Sequence, residues 1–303
     1  MIDVSKDLFG DLLALPDGIF TRRDALRAGL RDRVISAALR RGLITRVCRG
    51  TYAAPGPWTV EEHRRILALA ALRAYEDAVL VGASAVAAHG LPLYRVPVLP
   101  GDIARPVERE ARTAELRIRP LRHAVVSTGW GPANELPGSL VQLTMDHGVI
   151  TGIVSVDAAM HGGLVTEAEM RATMDRVAGW PYASRFRCAL AWADGRSESP
   201  GESVTRATLL GAGFDVESQV PVADRDGEVF AYADLGIVGT RVLVEFDGKV
   251  KYADGGADAL FREKKREDRI RARGFVVVRV TWADLFHPEL IVRAIREALA
   301  EAA

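Results

Sequence analysis

The chain has 303 residues, 49% hydrophobic and 26% charged, enough for two or three domains that each bury a core. Its 40 basic and 40 acidic side chains cancel, so net charge carries no sign of a polyanionic partner, and such a surface must come from local clustering. Two distant cysteines, Cys48 and Cys188, argue against a disulfide framework or a Cys/His zinc module; an acidic N-terminus and no apolar run near ~18 residues argue against a signal peptide or membrane span, so a cytoplasmic protein without a membrane partner is expected.

In chain order, residues 5–50 read as three short helices and a hairpin. Leu8, Leu12 and Leu13 recur at helical spacing until "PDG" breaks the segment. Thr21 stands as the cap of the next helix with Asp24 three residues on, and Gly29 closes it. A third helix, about 31–41, buries Val34, Ile35, Ala38 and Leu39 and exposes Arg31, Arg33, Arg40 and Arg41. Two β-prone runs around Arg49 and Gly50 then read as a wing, so residues 1–56 are expected to form a winged helix-turn-helix. From Arg22 to Arg49 nine arginines face two acids, Asp24 and Asp32, a local excess suited to phosphates. The stretches "GIFTRRDALRAG" and "RRGLITRVCRGTY" resemble the winged-helix domain of the AbiEi antitoxin family. That resemblance implies a transcriptional repressor or antitoxin with a toxin partner. It also implies a DNA-reading third helix (Arg31, Arg33, Arg40, Arg41) and a wing touching backbone through Arg46, Arg49 and Tyr52. Winged helices often act as dimers, so a homodimer is a further expectation.

Residues 57–192 are expected to be an α+β scaffold. "VEEHRRILALAALRAY" is an amphipathic helix, "DAVLVGASAVAAHGL" a short strand and a small-residue helix, 98–126 alternates as β-structure, and "HGG" joins two later helices. His123, His147 and His161 are isolated and take no role.

Residues 193–303 read as helix, three strands, a highly charged helix, the buried strand "FVVVRVTW" and a final helix. In "VLVEFDGKVKY", alternation puts Glu245, Asp247 and Lys249 on one face, with Asp234 on the preceding strand. Carboxylates gathered there would repel, and a hard divalent ion would relieve them. Asp234 followed by Glu245-Phe-Asp247-Gly-Lys249, with "ESPGES" and "EKKREDRIRARGFVVVRVTW", resembles the PD-(D/E)XK signature of the domain of unknown function 559 branch, relatives of very-short-patch-repair endonucleases. The resemblance implies an αβββαβ restriction-endonuclease-like core hydrolysing DNA phosphodiesters. Asp234, Glu245 and Asp247 would hold Mg²⁺ or Mn²⁺, and Lys249 would stabilise charge on the phosphate. Glu202 is either a further catalytic acid or the capping-box partner of Ser199. In the charged helix, Lys264, Lys265 and Arg269 either face phosphate or form a solvated face braced by pairs such as Glu267 with Arg271; Tyr252, Arg279 and Trp282 flank it.

Two function classes follow: a metal-dependent endonuclease delivered to DNA by a winged helix, and an AbiEi-like repressor or antitoxin whose C-terminal domain retains a nuclease fold without catalysis.

Overall fold

The structure is a computed structural model that describes residues 9–248 and 256–302, with residue 16 and residues 256–263 described by backbone alone. Lys249 and Tyr252 therefore lie outside the described residues. The chain divides into two compact units, Met1–His147 and Gly148–Ala303, a multi-domain α/β architecture with a helical N-terminal region and mixed sheets.

The first unit opens with α1 (Gly10–Leu13), ended at Pro16–Gly18 by a 3-10 turn in which Asp17 and Gly18 both take positive φ. Next come β1 (Ile19–Thr21), α2 (Arg22–Arg27), α3 (Asp32–Arg40), β2 (Thr45–Cys48) and β3 (Thr51–Ala53). Thr21 caps α2 reciprocally: its hydroxyl accepts from Asp24 N, and Asp24 Oδ2 accepts from Thr21 N at 2.8 Å. Gly29, at φ +83°, lets the chain leave the helix. Phe9, Phe20, Ala25, Ile35, Ala38, Ile44 and Tyr52 form the core beneath these helices. The hairpin β2–β3 turns at Gly50 (φ +76°), and β1 adds to it in the order β1-β3-β2. The strand β1 is a finding beyond the sequence reading, since three residues are too few to show alternation.

The helix α4 (Val60–Ala74) starts on a second capping box, Thr59 with Glu62. Its Leu67, Ala68 and Ala71 share one core with Ile19, Val47 and Ala53 of the small sheet, and with Leu80, Ile103, Leu116 and Ala133. Those last four belong to a six-stranded sheet of β4 (Val79–Leu80), β5 (Gly101–Arg105), β6 (Ala111–Arg112), β7 (Leu116–Pro120), β8 (Val125–Thr128) and β9 (Gly131–Asn134), in the order β6-β7-β5-β4-β9-β8. Between β4 and β5 runs α5 (Gly82–Ala88), and α6 (Leu136–His147) closes the unit. By serving two sheets at once, α4 fixes the small helical module onto the larger one.

The second unit comprises α7 (Val149–His161), α8 (Glu167–Val177), α9 (Ala183–Ala191), α10 (Pro200–Gly211), β10 (Val216–Ala223), β11 (Val229–Ile237), β12 (Val242–Asp247), α11 (Gly256–Arg271), β13 (Val276–Thr281) and α12 (Pro288–Glu301). Its sheet runs β10-β11-β12-β13, antiparallel except for the parallel β12–β13 pair that α11 connects. A buried ion pair between Asp157 of α7 and Arg206 of α10 joins the helical layer, both side chains being almost wholly enclosed. Where α10 crosses β12 the backbone approach requires glycine: a Cβ on Gly201 would lie 2.0 Å from the Phe246 ring. Among the described residues no helix is long and apolar enough to cross a membrane.

Candidate nucleic-acid interface

On α3 the apolar positions Ile35 and Ala38 are 3% and 0% exposed, which turns the opposite side of the helix outward. Arg33, Ser36 and Arg40 follow at i, i+3 and i+7 and are exposed, so they share that outer stripe, with the half-buried Ala37 at its edge. Arg33 and Arg40 stand about 10 Å apart along it, given 1.5 Å of rise per residue. Between them lie only a serine and an alanine, so the middle of the stripe is low and its ends are cationic. Sequence reasoning found the arginines and missed this saddle, although the spacing of Ser36 and Ala37 carried it.

Arg31, in extended backbone, takes the N-cap position of α3 without a side-chain capping bond, and Arg41 takes its C-cap position; both are exposed. Arg46 and Arg49 of the hairpin are exposed as well. None of the ion pairs found among the described residues involves Arg31, Arg33, Arg40, Arg46 or Arg49. The acid that opens α3 is neutralised by a fork: Arg22 donates from Nε to Asp32 Oδ1 at 2.7 Å and from Nη2 to Oδ2 at 2.5 Å. That hydrogen bond and charge hold the Asp32 carboxyl below its ordinary range, so the aspartate keeps its guanidinium across neutral pH.

Tyr52 corrects the sequence expectation. Assigned to the backbone-touching wing, it is only 5% exposed, with its ring 5.5 Å from that of Phe20. It sits on β3, the central strand of the small sheet, with its ring in the core that Phe9, Phe20, Ile35 and Ile44 form.

In the second unit the predicted acids fall at one end of the sheet, with cations among them. The β11–β12 ladder stops at Leu235↔Val244, and Asp234 Oδ2 accepts the amide of Phe246 at 2.7 Å where the strands part. Glu245, 9% exposed, accepts from Arg266 Nη2 at 2.9 Å. Its register partner on β13 is Arg279, whose guanidinium lies 3.9 Å from Glu245 and 3.8 Å from Asp247 and bonds Glu267 at 2.8 Å. Glu245 and Asp247 thus share a face, as alternation predicted, and that face also holds two arginines. Among the described residues there is no group of three or more His, Cys, Asp or Glu side chains placed to hold a metal ion.

Glu202 is 7% exposed and makes capping contacts: its amide donates to Ser199 Oγ at 3.3 Å, and its Oε2 accepts from Glu198 N at 2.9 Å. Lys264 and Lys265 are exposed on α11. Arg269 pairs with Asp224 at 3.1 Å and lies over the Phe230 ring, 3.8 Å from its centroid. The Glu267–Arg271 brace is present at 2.9 Å. Trp282 meets Phe246 edge to face at 5.1 Å.

No curated protein matches this chain. Residues 11–55 match the family described as transcriptional regulator, AbiEi antitoxin, a segment that begins in α1 and ends just past β3.

Proposed function

We propose that the chain is a DNA-binding transcriptional regulator of the AbiEi antitoxin kind, docking a winged helix-turn-helix on duplex DNA and acting with a toxin partner. The observation that carries this reading is the outer stripe of α3, cationic at both ends and low between, inside the segment that matches the family. A stripe of that shape suits the major groove, about 12 Å wide. Arg33 and Arg40 would reach base edges, while Arg31, Arg41, Arg46 and Arg49 would meet phosphates and set the register. A homodimer on paired half-sites and a cytoplasmic location belong to the same reading. Fluorescence anisotropy on duplexes tiled across the chain's own promoter tests it. Arg33→Ala and Arg40→Ala should each weaken binding to the best duplex by about 1–3 kcal/mol and relax its sequence preference. Equal affinity for every tile, unchanged in both variants, would remove the assignment.

A second reading is an enzyme, a PD-(D/E)XK-type endonuclease using Mg²⁺ or Mn²⁺. It is favoured by Glu245 and Asp247 on one face of β12, with Asp234 on the adjoining strand. The described residues do not fit the ion as they stand, because Arg266 and Arg279 take up the charge of that face. The regulator reading is therefore preferred, with the C-terminal unit as a binding or scaffolding element. Plasmid nicking separates the two. Mg²⁺- or Mn²⁺-dependent cleavage that is lost in both Asp234→Ala and Lys249→Ala supports the enzyme. No nicking with either metal, with promoter binding unchanged in both variants, supports the regulator.

A further inference from the structure

A cleft of about 400 Å³ opens in the first unit, lined by Thr21 and α2, the hairpin turn at Arg49 and Gly50, the last residues of α4, and Glu76 just past that helix. Five guanidinia border it, those of Arg22, Arg23, Arg27, Arg49 and Arg73, against two carboxylates, Asp24 and Glu76. Arg22 is committed to Asp32, outside the cleft, and Arg23 to Glu76 at 3.2 Å. Asp24 is occupied as the cap partner of Thr21, accepting from both its amide and its hydroxyl. Burial pushes the Asp24 carboxyl up, but those hydrogen bonds and the nearby Arg73 and Arg27 bring it below its ordinary value, so it stays ionised. Arg27 and Arg49 enter none of the ion pairs found among the described residues. A concavity with that surplus concentrates anions, and guanidinium forks match the oxygens of a phosphate.

We infer that this cleft is a phosphate-binding site and that the phosphate it takes belongs to the backbone of bound DNA. The inference rests on the regulator reading and extends it. Arg73 lies in the last turn of α4 and Glu76 just past it, both beyond residues 11–55, so the DNA footprint would run past the family-matched segment onto the helix that anchors it. Arg49 would then act at the cleft rim rather than as an isolated wing contact.

The test uses the full chain carrying Arg27→Gln with Arg73→Gln, and a second variant carrying Arg27→Lys with Arg73→Lys. Duplex affinity is measured from 50 to 200 mM salt, with circular dichroism and the thermal midpoint confirming that each variant is folded. The glutamine pair is expected to lower the slope of log K against log[salt] by about 0.9, the value of one phosphate contact, and to weaken binding several-fold; the lysine pair should keep the slope. A slope unchanged by the glutamine pair, while Arg33→Ala still weakens binding, overturns the cleft site and leaves the regulator reading standing. If neither change affects DNA binding, both fail. Inorganic phosphate and pyrophosphate form the second arm. If either raises the thermal midpoint of the parent and not of the glutamine pair, while the DNA slope is unmoved, the cleft takes a free anion and the backbone assignment is overturned.

Discussion

Replacing Arg31, Arg33, Arg40 and Arg41 together with alanine is expected to lower duplex affinity by about two to four orders of magnitude at 150 mM salt, roughly 3–6 kcal/mol. The four side chains are exposed, and the core side of α3 is carried by Ile35 and Ala38, so the substitutions leave its buried face unchanged. Arg33 and Arg40 lie within α3, where alanine is the strongest helix former, and Arg31 at the N-cap makes no side-chain capping bond to lose. The loss should have two components. Contacts to base edges disappear as a change in sequence preference, and contacts to phosphates as a fall in salt slope of about 0.9 each. Anisotropy titrations of a specific and a scrambled duplex over a salt series separate them. Affinity held at the parent level in both duplexes would mean that DNA, if bound at all, is bound elsewhere on the chain.

What the sequence made legible were features whose causes are local. The Thr21–Asp24 box, the stop at Gly29 and the inward turn of Ile35 and Ala38 depend on residues within one or two turns, and each is visible as spacing. The same holds for the element order from α10 to α12 and for the shared face of Glu245 and Asp247. What was hidden depends on register between distant segments. Nothing near Glu245 in the chain shows that the parallel pairing of β12 and β13 sets Arg279 opposite it, or that α11 brings Arg266 to its carboxylate. Counting the acids alone leaves out the two guanidinia, Arg266 and Arg279, that the fold places beside them. Tyr52 misled for a related reason: the addition of β1 turns β3 into a central strand, and a residue expected on a rim becomes core.

The longest-range case is Asp102, and it carries a pH prediction. Asp102 lies on β5, 3% exposed, with Arg117 and Arg119 of the parallel strand β7 at 3.7 and 3.8 Å, too far for good hydrogen bonds. Those two guanidinia sit closer to Asp146 of α6, at 3.1 and 2.7 Å, and Glu110 stands 3.7 and 3.9 Å from them. Burial, only partly opposed by Arg119 and Arg64 and reinforced by Asp146 and Glu110, pushes the Asp102 carboxyl up to about 7. In the unfolded chain it returns to about 3.8. Below that lower value the acid is neutral in both states and costs nothing. As pH rises toward 7 the unfolded state ionises first, so stability is lost progressively, on the order of 4 kcal/mol in all, and above 7 the loss levels off. His147, at the end of α6, works against this trend, because burial lowers its value and its protonation destabilises the acid side. The comparison that isolates Asp102 is therefore with Asp102→Asn, which is uncharged at every pH and leaves the histidine in place. Hydrogen exchange in the peptides covering β5 and β7 should show the wild type opening more readily at pH 8 than at pH 5, after correction for intrinsic exchange. The asparagine variant should lose most of that difference. A variant whose opening free energy runs parallel to the wild type across this range would show that Asp102 is held ionised by its two arginines, and that the buried cluster is a settled salt bridge instead of a proton-dependent strain in the sheet.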